Sequence, residues 1–337
     1  MKIRSKPRRT LLKQSALAVT FAACGLLGLA PSAAVADANY PDRPVRVVVN
    51  FPAGGAADQI ARAITTPLSE AMGETFVVEN KGGANGNIGG EIVARAKPDG
   101  YTLLVSSGGM VSINPTIYPE MSFDPMEDLT PVAAAARVLV FLEVNDTVDV
   151  DTAEEFIEYL KANPGKLSYS SPGNGSSPHL AGELFAQAAD IDALHVPYRG
   201  GAPAMQDLLG GQVNFMFDPG LGLSNVDAGK LKMLAVGSPK RSTRYPDVRT
   251  LDEVGLEGFD ADSYFGIYAP AGTPADIIEK LNVEINKIVS SPDFAEKMLS
   301  LGAEPAVMTP DEFNQQALDD FERFGKLIKE RNIMAVN

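Results

Sequence analysis

The stretch VVVNFPAGGAADQIARAI, residues 47–64, decides the fold. A β-branched run from Val45 to Asn50 reads as a strand. Pro52 and the pair Gly54-Gly55 then make a bare turn. Beyond it, Ile60, Ile64, Leu68 and Met72 recur four apart, which predicts a helix over Asp58–Met72 with Asp58 placed as its N-cap. Pro67 falls inside that helix and should kink it, because it cannot donate to residue 63. Strand, turn and helix together make one βα unit. The pattern continues with a strand from Thr75 to Glu79 and a glycine-rich segment, Gly82–Gly90, leading into a helix that ends near Lys97. A third strand follows from Tyr101 to Ser106. A βαβαβ run of this kind implies a parallel sheet with right-handed crossovers.

A second series begins near Asp151. Helices are expected at Thr152–Asn163, Ser177–Ala188 and Ala202–Leu209, and strands at Leu167–Ser171, Ala193–Val196, Val213–Asp218 and Leu231–Gly237. After one more strand, Tyr264–Ala269, only helices remain: Pro274–Val289, Asp293–Leu301 and Pro310–Arg331. With no new strand–helix series to join, these helices are expected to pack back on the first lobe. The chain would then cross between lobes near residues 137–145 and 258–265.

The turn of residues 50–58 has two counterparts in the second series, YSSPGNGSSPHLAGE and HVPYRGGAPAMQDLL. In each, a proline (Pro52, Pro172 or Pro197) ends a strand, glycines follow and a helix begins. Ligands of open α/β sheets sit where strands hand over to helices. The first helical turn there has unpaired N–H groups and a positive partial charge, and glycine lets the backbone approach an anion. Two facing lobes carrying such turns would grip one small anion, such as a carboxylate, from both sides. The bland alternative is that glycines serve chain geometry alone. Gly82–Gly90 does not fit a dinucleotide GxGxxG cradle and reads as the start of a helix bordering the cleft.

Composition narrows the function. The chain has 337 residues and 45% hydrophobic content, enough for two domains. Lys2, Arg4, Lys6, Arg8, Arg9 and Lys13 precede an uncharged run from Gln14 to Ala36, with Ala34-Val35-Ala36 as a small-x-small cleavage site. Residues 1–36 therefore read as a cleaved secretory signal. The Arg8-Arg9 pair fits a twin-arginine signal as well as an ordinary n-region. Phe21-Ala22-Ala23-Cys24 is a poor lipid-attachment motif. Cleavage would leave 23 basic against 43 acidic residues, a net charge of −20, and no cysteine. Such acidity argues against nucleic acid or an anionic membrane as partner. An anionic ligand would have to be held by local dipoles.

Catalytic groups are sparse. The histidines are two, His179 and His195. His179 and Glu183 stand one helical turn apart, suited to a local ion pair, with no third ligand to complete a zinc site. His179 is expected to orient a loop and His195 to be structural. There is no GxSxG elbow and no Walker motif. Asp58, Glu183 and Asp218 remain as isolated carboxylates, and Arg199 is the one cation inside a glycine turn, free either to clamp a carboxylate or to pair with an acid.

These residues also resemble a family. Tyr40-Pro41-Asp42-Arg43-Pro44, Pro52-Ala53-Gly54-Gly55 with Asp58, Val78-Glu79-Asn80-Lys81-Gly82-Gly83-Ala84 and Lys97-Pro98-Asp99-Gly100-Tyr101 are similar to motifs of the Bug or TctC-type extracytoplasmic receptors of tripartite tricarboxylate transporters. The similarity continues through Ser171–Ser176, His179–Glu183, His195–Gly201, Leu234-Ala235-Val236 and Ala269–Pro274. It implies an α/β, two-lobed type II periplasmic-binding-protein (Venus flytrap) fold with a hinge, lobe 1 from residues 37–140 plus 262–337 and lobe 2 from 141–261. It implies a periplasmic monomer that delivers a small organic acid to membrane permease subunits, without cofactor, metal or catalysis. Carried onto this chain, the ligand site comprises Phe51, Ala53, Gly54, Gly55, Ala56 and Asp58, then Ser106, Ser107 and Gly108. From the second lobe it takes Ser171, Gly173, Asn174, Ser176, Ser177 and His179, then Tyr198, Arg199, Gly200 and Ala202, with Asp218 at the rim. Ala56-Ala57 stand where many members offer a hydroxyl, and Tyr264 where a Trp is frequent. A secreted α/β hydrolase or lyase, or the binding component of a sensor, are the rival functions.

Overall fold

Val45–Val49 forms β1 and Ala56–Met72 forms α1, the unit from which the first sheet grows. The computed structural model describes residues 40–118 and 120–334; the expected signal segment lies outside them. β2 (Phe76–Asn80) and β3 (Thr102–Ser107) flank β1 in parallel, joined through α2 (Asn87–Ala94). Short helices α3 (Gly108–Ser112), α4 (Asn114–Ile117) and α5 (Pro125–Asp128) lead to β4 (Leu129–Val138). α1 starts two residues before the expected Asp58 and runs on through Pro67, with Gly55 as N-cap and Gly73 closing it in a left-handed conformation.

The chain then leaves for a second sheet. β5 (Phe141–Asn145), α6 (Ala153–Ala162), β6 (Ser168–Ser171), α7 (Ser177–Ala189), β7 (Leu194–Pro197) and α8 (Gly201–Leu209) follow in order. β8 (Phe215–Asp218), α9 (Leu223–Asp227) and β9 (Leu231–Val236) complete it. β10 (Ser263–Pro270) returns to the first sheet, and α10 (Ala275–Val289), α11 (Pro292–Ser300), β11 (Ala303–Pro305) and α12 (Pro310–Arg331) end the chain. The first sheet has the order β11-β4-β10-β3-β1-β2 and the second β7-β6-β8-β5-β9.

The two lobes are thus two mixed sheets, each with its own core. In the second, Phe156, Phe185, Phe215 and Phe217 are fully buried together, with Phe156 and Phe215 edge to face at 5.2 Å. In the first, α10 and α12 pack on β4, as expected for the C-terminal helices. The crossings fall at residues 139–140 and between β9 and β10, near the expected places. They run side by side: Gly237 donates to the Val140 carbonyl at 2.8 Å and Ala261 to the Gly237 carbonyl at 2.9 Å. Beside them Arg137 reaches Asp262 at 3.4 Å and Glu304 at 2.6 Å, and the Ser238 hydroxyl bonds Asp262. Tyr264 pairs with Arg137 across β10 and β4 at this hinge.

β4, β5 and β11 were not anticipated from the sequence. In β4 the run Ala133–Ala136 is fully buried yet carries no β-branched signal.

Candidate functional site

β1, β2 and β3 run parallel, so the turns after them share one sheet edge. β6, β7 and β8 are likewise parallel in the second sheet. All three glycine turns therefore stand at carboxyl edges of strands, where helix starts point their amides outward.

The first turn is Phe51–Asp58. Gly54 has φ +83°, a conformation that favours glycine, and Ala53, Gly54 and Gly55 are exposed. Asp58 is not the N-cap; it lies in the first turn of α1 and is buried. Its carboxylate accepts from the Gly54 amide at 2.9 Å, Asn80 Nδ2 at 3.0 Å and Arg62 at 3.0 Å. Burial opposes its charge, but the hydrogen bonds from Arg62, Gly54 and Asn80 prevail and hold its pKa below the ordinary value. Asp58 is thus fully engaged in shaping the turn. Gly55 gives α1 no side-chain cap, and the amides of Ala56 and Ala57 have no acceptor among the described residues.

Gly82–Gly86 leans on this turn. A Cβ on Gly82 would lie 3.2 Å from Pro52 Cδ. The segment follows the end of β2 after one residue, closer to a strand than the sequence suggested. Buried Asn50 ties the two together, donating to the Gly86 carbonyl at 3.1 Å and to Ser106 Oγ at 2.9 Å. Asn114 continues the network, meeting Asn85 and Asn87 at 2.6–3.0 Å. Asn50, Asn85 and Asn114 were not singled out in the sequence: amides have no motif, and their pairing depends on residues far apart in the chain. Ser106 is completely buried in this network, so it supports the site from beneath. Ser107 is the uncapped N-cap of α3, with Gly108 as its first residue.

The second and third turns form one body. Tyr198 donates its amide to the Ser171 carbonyl at 2.9 Å and Gly200 to the Pro172 carbonyl at 3.0 Å. Ser176 caps α7, accepting from the His179 amide, and its hydroxyl donates to the Gly173 carbonyl at 2.7 Å. Asn174 and Ser177 are partly exposed beside it. Gly200, φ +119°, leaves α8 without a side-chain cap, and the amides of Gly201 and Ala202 lack acceptors among the described residues. The Tyr198 hydroxyl is taken by Asp207 at 2.5 Å. Arg199 is exposed and forms no ion pair among the described residues.

The two histidines stack face to face, 3.8 Å apart and 8° from parallel, with Tyr169 over His195. Gly175 donates its amide to His179 Nδ1 at 2.9 Å, so His179 does orient the loop. Burial lowers His179 to about 4, and burial together with His179 lowers His195 to about 3. Both are neutral, so His179 and Glu183 (3.8 Å) do not form the expected ion pair. Glu183 pairs instead with Arg331 and the Tyr169 hydroxyl. His195 Nε2 lies 2.7 Å from Ser171 Oγ, which has the look of a nucleophile and base. Yet Ser171 is fully buried and its hydroxyl reaches the Gly173 carbonyl at 3.1 Å. A ring this hard to protonate is a poor base.

Asp218 is not at the rim. It is fully buried, and its Oδ2 accepts the amides of Gly220 and Gly222, each at 2.8 Å. Beneath it lies Glu143 of β5, fully buried, which the sequence reading overlooked. Burial, then the charge of Asp218, push Glu143 well above the usual carboxylate range; burial also raises Asp218. Both Glu143 oxygens and Asp218 Oδ1 are buried without a hydrogen-bond partner among the described residues, so the pair favours the neutral form of Glu143.

The lobes touch in several places, among them Arg331 of α12 on Glu183 of α7 and Thr243 on Glu304; beside the turns they meet between α3–α4 and the second turn. A Cβ on Gly109 would lie 3.4 Å from Ser177 Oγ, and one on Gly175 would lie 2.2 Å from Ile117 Cδ1. The structure thus brings the β3–α3 turn against the second turn. No hydrogen bond among the described residues links residues 51–58 to the second or third turn. A concavity of about 860 Å³ between α1, α10 and α11 contains none of the turn residues.

A family model for the tripartite tricarboxylate transporter family receptor, TctC, matches residues 60–333. The chain belongs to this receptor family. Protein BugT of Bordetella pertussis is 35% identical over 302 residues, covering 89% of this chain and 92% of BugT. R. palustris Rpa4515, solved with adipate, is 34% identical with a TM-score of 0.80, covering 88% of this chain and all of that one. MatC (Rpa3494) of Rhodopseudomonas palustris, with bound malate, is 30% identical with a TM-score of 0.75, covering 86% and 100%. The two-lobed fold expected from the sequence is the fold of these receptors.

Proposed function

We propose that this receptor works in the periplasm as a monomer, captures a small carboxylate and passes it to membrane permease subunits without transforming it. Its lobes would be residues 37–140 with 262–337, and 141–261. The observation that carries the reading is the uncapped helix starts at Gly55, Ser107 and Gly200, spread over both sheets at their carboxyl edges. Helices α5, α6, α7, α11 and α12 have side-chain caps, whereas these three leave amides for a ligand; α2, α4, α9 and α10 are also uncapped, so it is the placement of the three at the strand ends that counts. Amide dipoles suit an anion that the chain's overall charge would repel. The adipate and malate bound by the two related receptors support the same ligand class. Capture would be followed by rotation about the paired crossovers, driven by tighter binding to the closed form.

The test is a thermal-shift screen of organic acids on the purified protein. An acid at a hundred times its dissociation constant stabilises the folded state by about 2.7 kcal/mol. Movement of the melting curve by neutral sugars, with every acid silent, would refute the carboxylate assignment.

A further inference from the structure

The loop Pro219–Gly222 leaves β8 at the same sheet edge as the second and third turns. Its shape comes from below. Asp218 draws down the amides of Gly220 and Gly222, and Glu143 fills the space under Gly222, where a Cβ would lie 2.0 Å from its Oε2. On the far side Gly220 abuts the first lobe, with a Cβ there 2.4 Å from the Leu301 carbonyl. Two carboxyl groups buried together are costly. Their visible product is a fixed loop that holds Leu221 outward, 54% exposed.

Leu221 does not project at random. Its Cδ1 would be 2.4 Å from a Cβ on Gly201, the residue that opens α8 with an unpartnered amide. Pro172 Cγ is 4.0 Å from the same point. An apolar wall therefore stands beside the amides assigned to the ligand. In the first lobe Ile88, 49% exposed, folds over Gly83 in the segment that leans on Pro52. A lone exposed leucine needs no explanation, but one held by a buried acid pair against a donor turn does.

Resting on the carboxylate reading above, we propose that Leu221 determines specificity: the site favours carboxylates whose carbon skeleton carries no hydroxyl groups. The family does not decide this, since one related receptor holds adipate and another malate. A hydroxyl set against Leu221 loses its water without gaining a partner, a discrimination of about 10- to 100-fold.

The experiment measures dissociation constants by calorimetry for two matched series: succinate, malate and tartrate, then adipate and galactarate. The natural protein should bind the bare member of a series at least tenfold more tightly than its hydroxylated partners. Leu221→Asn should shrink that ratio at least tenfold, and Leu221→Ala should weaken the bare acids while keeping the order. The side chain is exposed, so unchanged melting curves without ligand show that the variants fold. Hydroxylated acids binding as tightly as bare ones, or a ratio unmoved in Leu221→Asn, would overturn the wall and leave the carboxylate reading standing. Silence from all five acids would overturn the carboxylate reading and the wall with it.

Discussion

Acidification should loosen the second turn through His179. Its Nδ1 accepts the Gly175 amide, its ring lies 3.8 Å from that of His195, and it is almost wholly buried. Protonating it would set an N–H against the Gly175 N–H and a charge against the neighbouring ring. Burial accordingly holds its pKa near 4, below the ordinary 6.5. In the unfolded chain His179 takes its proton as pH falls through 6.5, whereas the folded protein resists until about 4. Stability is therefore lost on acidification across that window. Between pH 7 and 4.5 the loss attributable to His179 is about 2 kcal/mol. At ~2.1 cal/mol/K per residue over ~300 residues, it lowers the melting temperature by about 3 °C.

The melting curve of the natural protein alone cannot show this. Burial raises Asp262 to about 7 and Asp320 to about 6, so the folded state keeps protons there that the unfolded state has released. Those groups gain stability on acidification and mask the histidine. The difference between the natural protein and His179→Asn removes them. Asparagine keeps an acceptor near the Nδ1 position and cannot ionise, so the variant should lose less on going from pH 7 to 4.5. Since the chain has two histidines, their ring protons can also be followed directly by NMR. Parallel pH curves for the two proteins, or a His179 resonance titrating between pH 6 and 7, would refute the reasoning.

Gly175→Val should abolish carboxylate binding in calorimetry, because φ there is +74° and the new side chain would strike Ile117 across the gap; undiminished affinity would show that the lobes need not meet there. Phe185→Ala removes a fully buried ring from the second core and should cost about 3–5 kcal/mol in denaturant unfolding. Arg331→Ala, which cuts the half-exposed link from α12 to Glu183 on α7, should cost less than about 1 kcal/mol by the same assay. Asp262→Asn should flatten the rise in stability on acidification between pH 7 and 4, seen as a smaller gain in melting temperature relative to the natural protein.

The parts of the fold that could be read from the sequence are those fixed locally. Each βα unit carries its own β-branched run, glycine turn and apolar helix face, so α1, α6, α7, α8, α10 and α12 fall within a few residues of expectation. β4 was hidden because its centre is alanine, a weak strand former, and because what makes it a strand is pairing with β10. Small side chains suit it there, sandwiched between α10 and α12.

The same division runs through the site. Glycine turns were visible because a positive φ or a bare helix start demands a particular residue. Asp218 was visible as a carboxylate but misplaced, since its burial follows from the pairing of β8 with β5, an antiparallel strand that brings Glu143 beside it from 75 positions earlier in the chain. Asp218, the last residue of β8, turns inward to the Gly220 and Gly222 amides, and Leu221 is left facing outward. On the proposed reading the turns would determine that an anion is held, while the buried pair, which lies beneath the loop, would determine what stands beside it. Two receptors could then share every glycine of the turns and still differ in the acid they prefer.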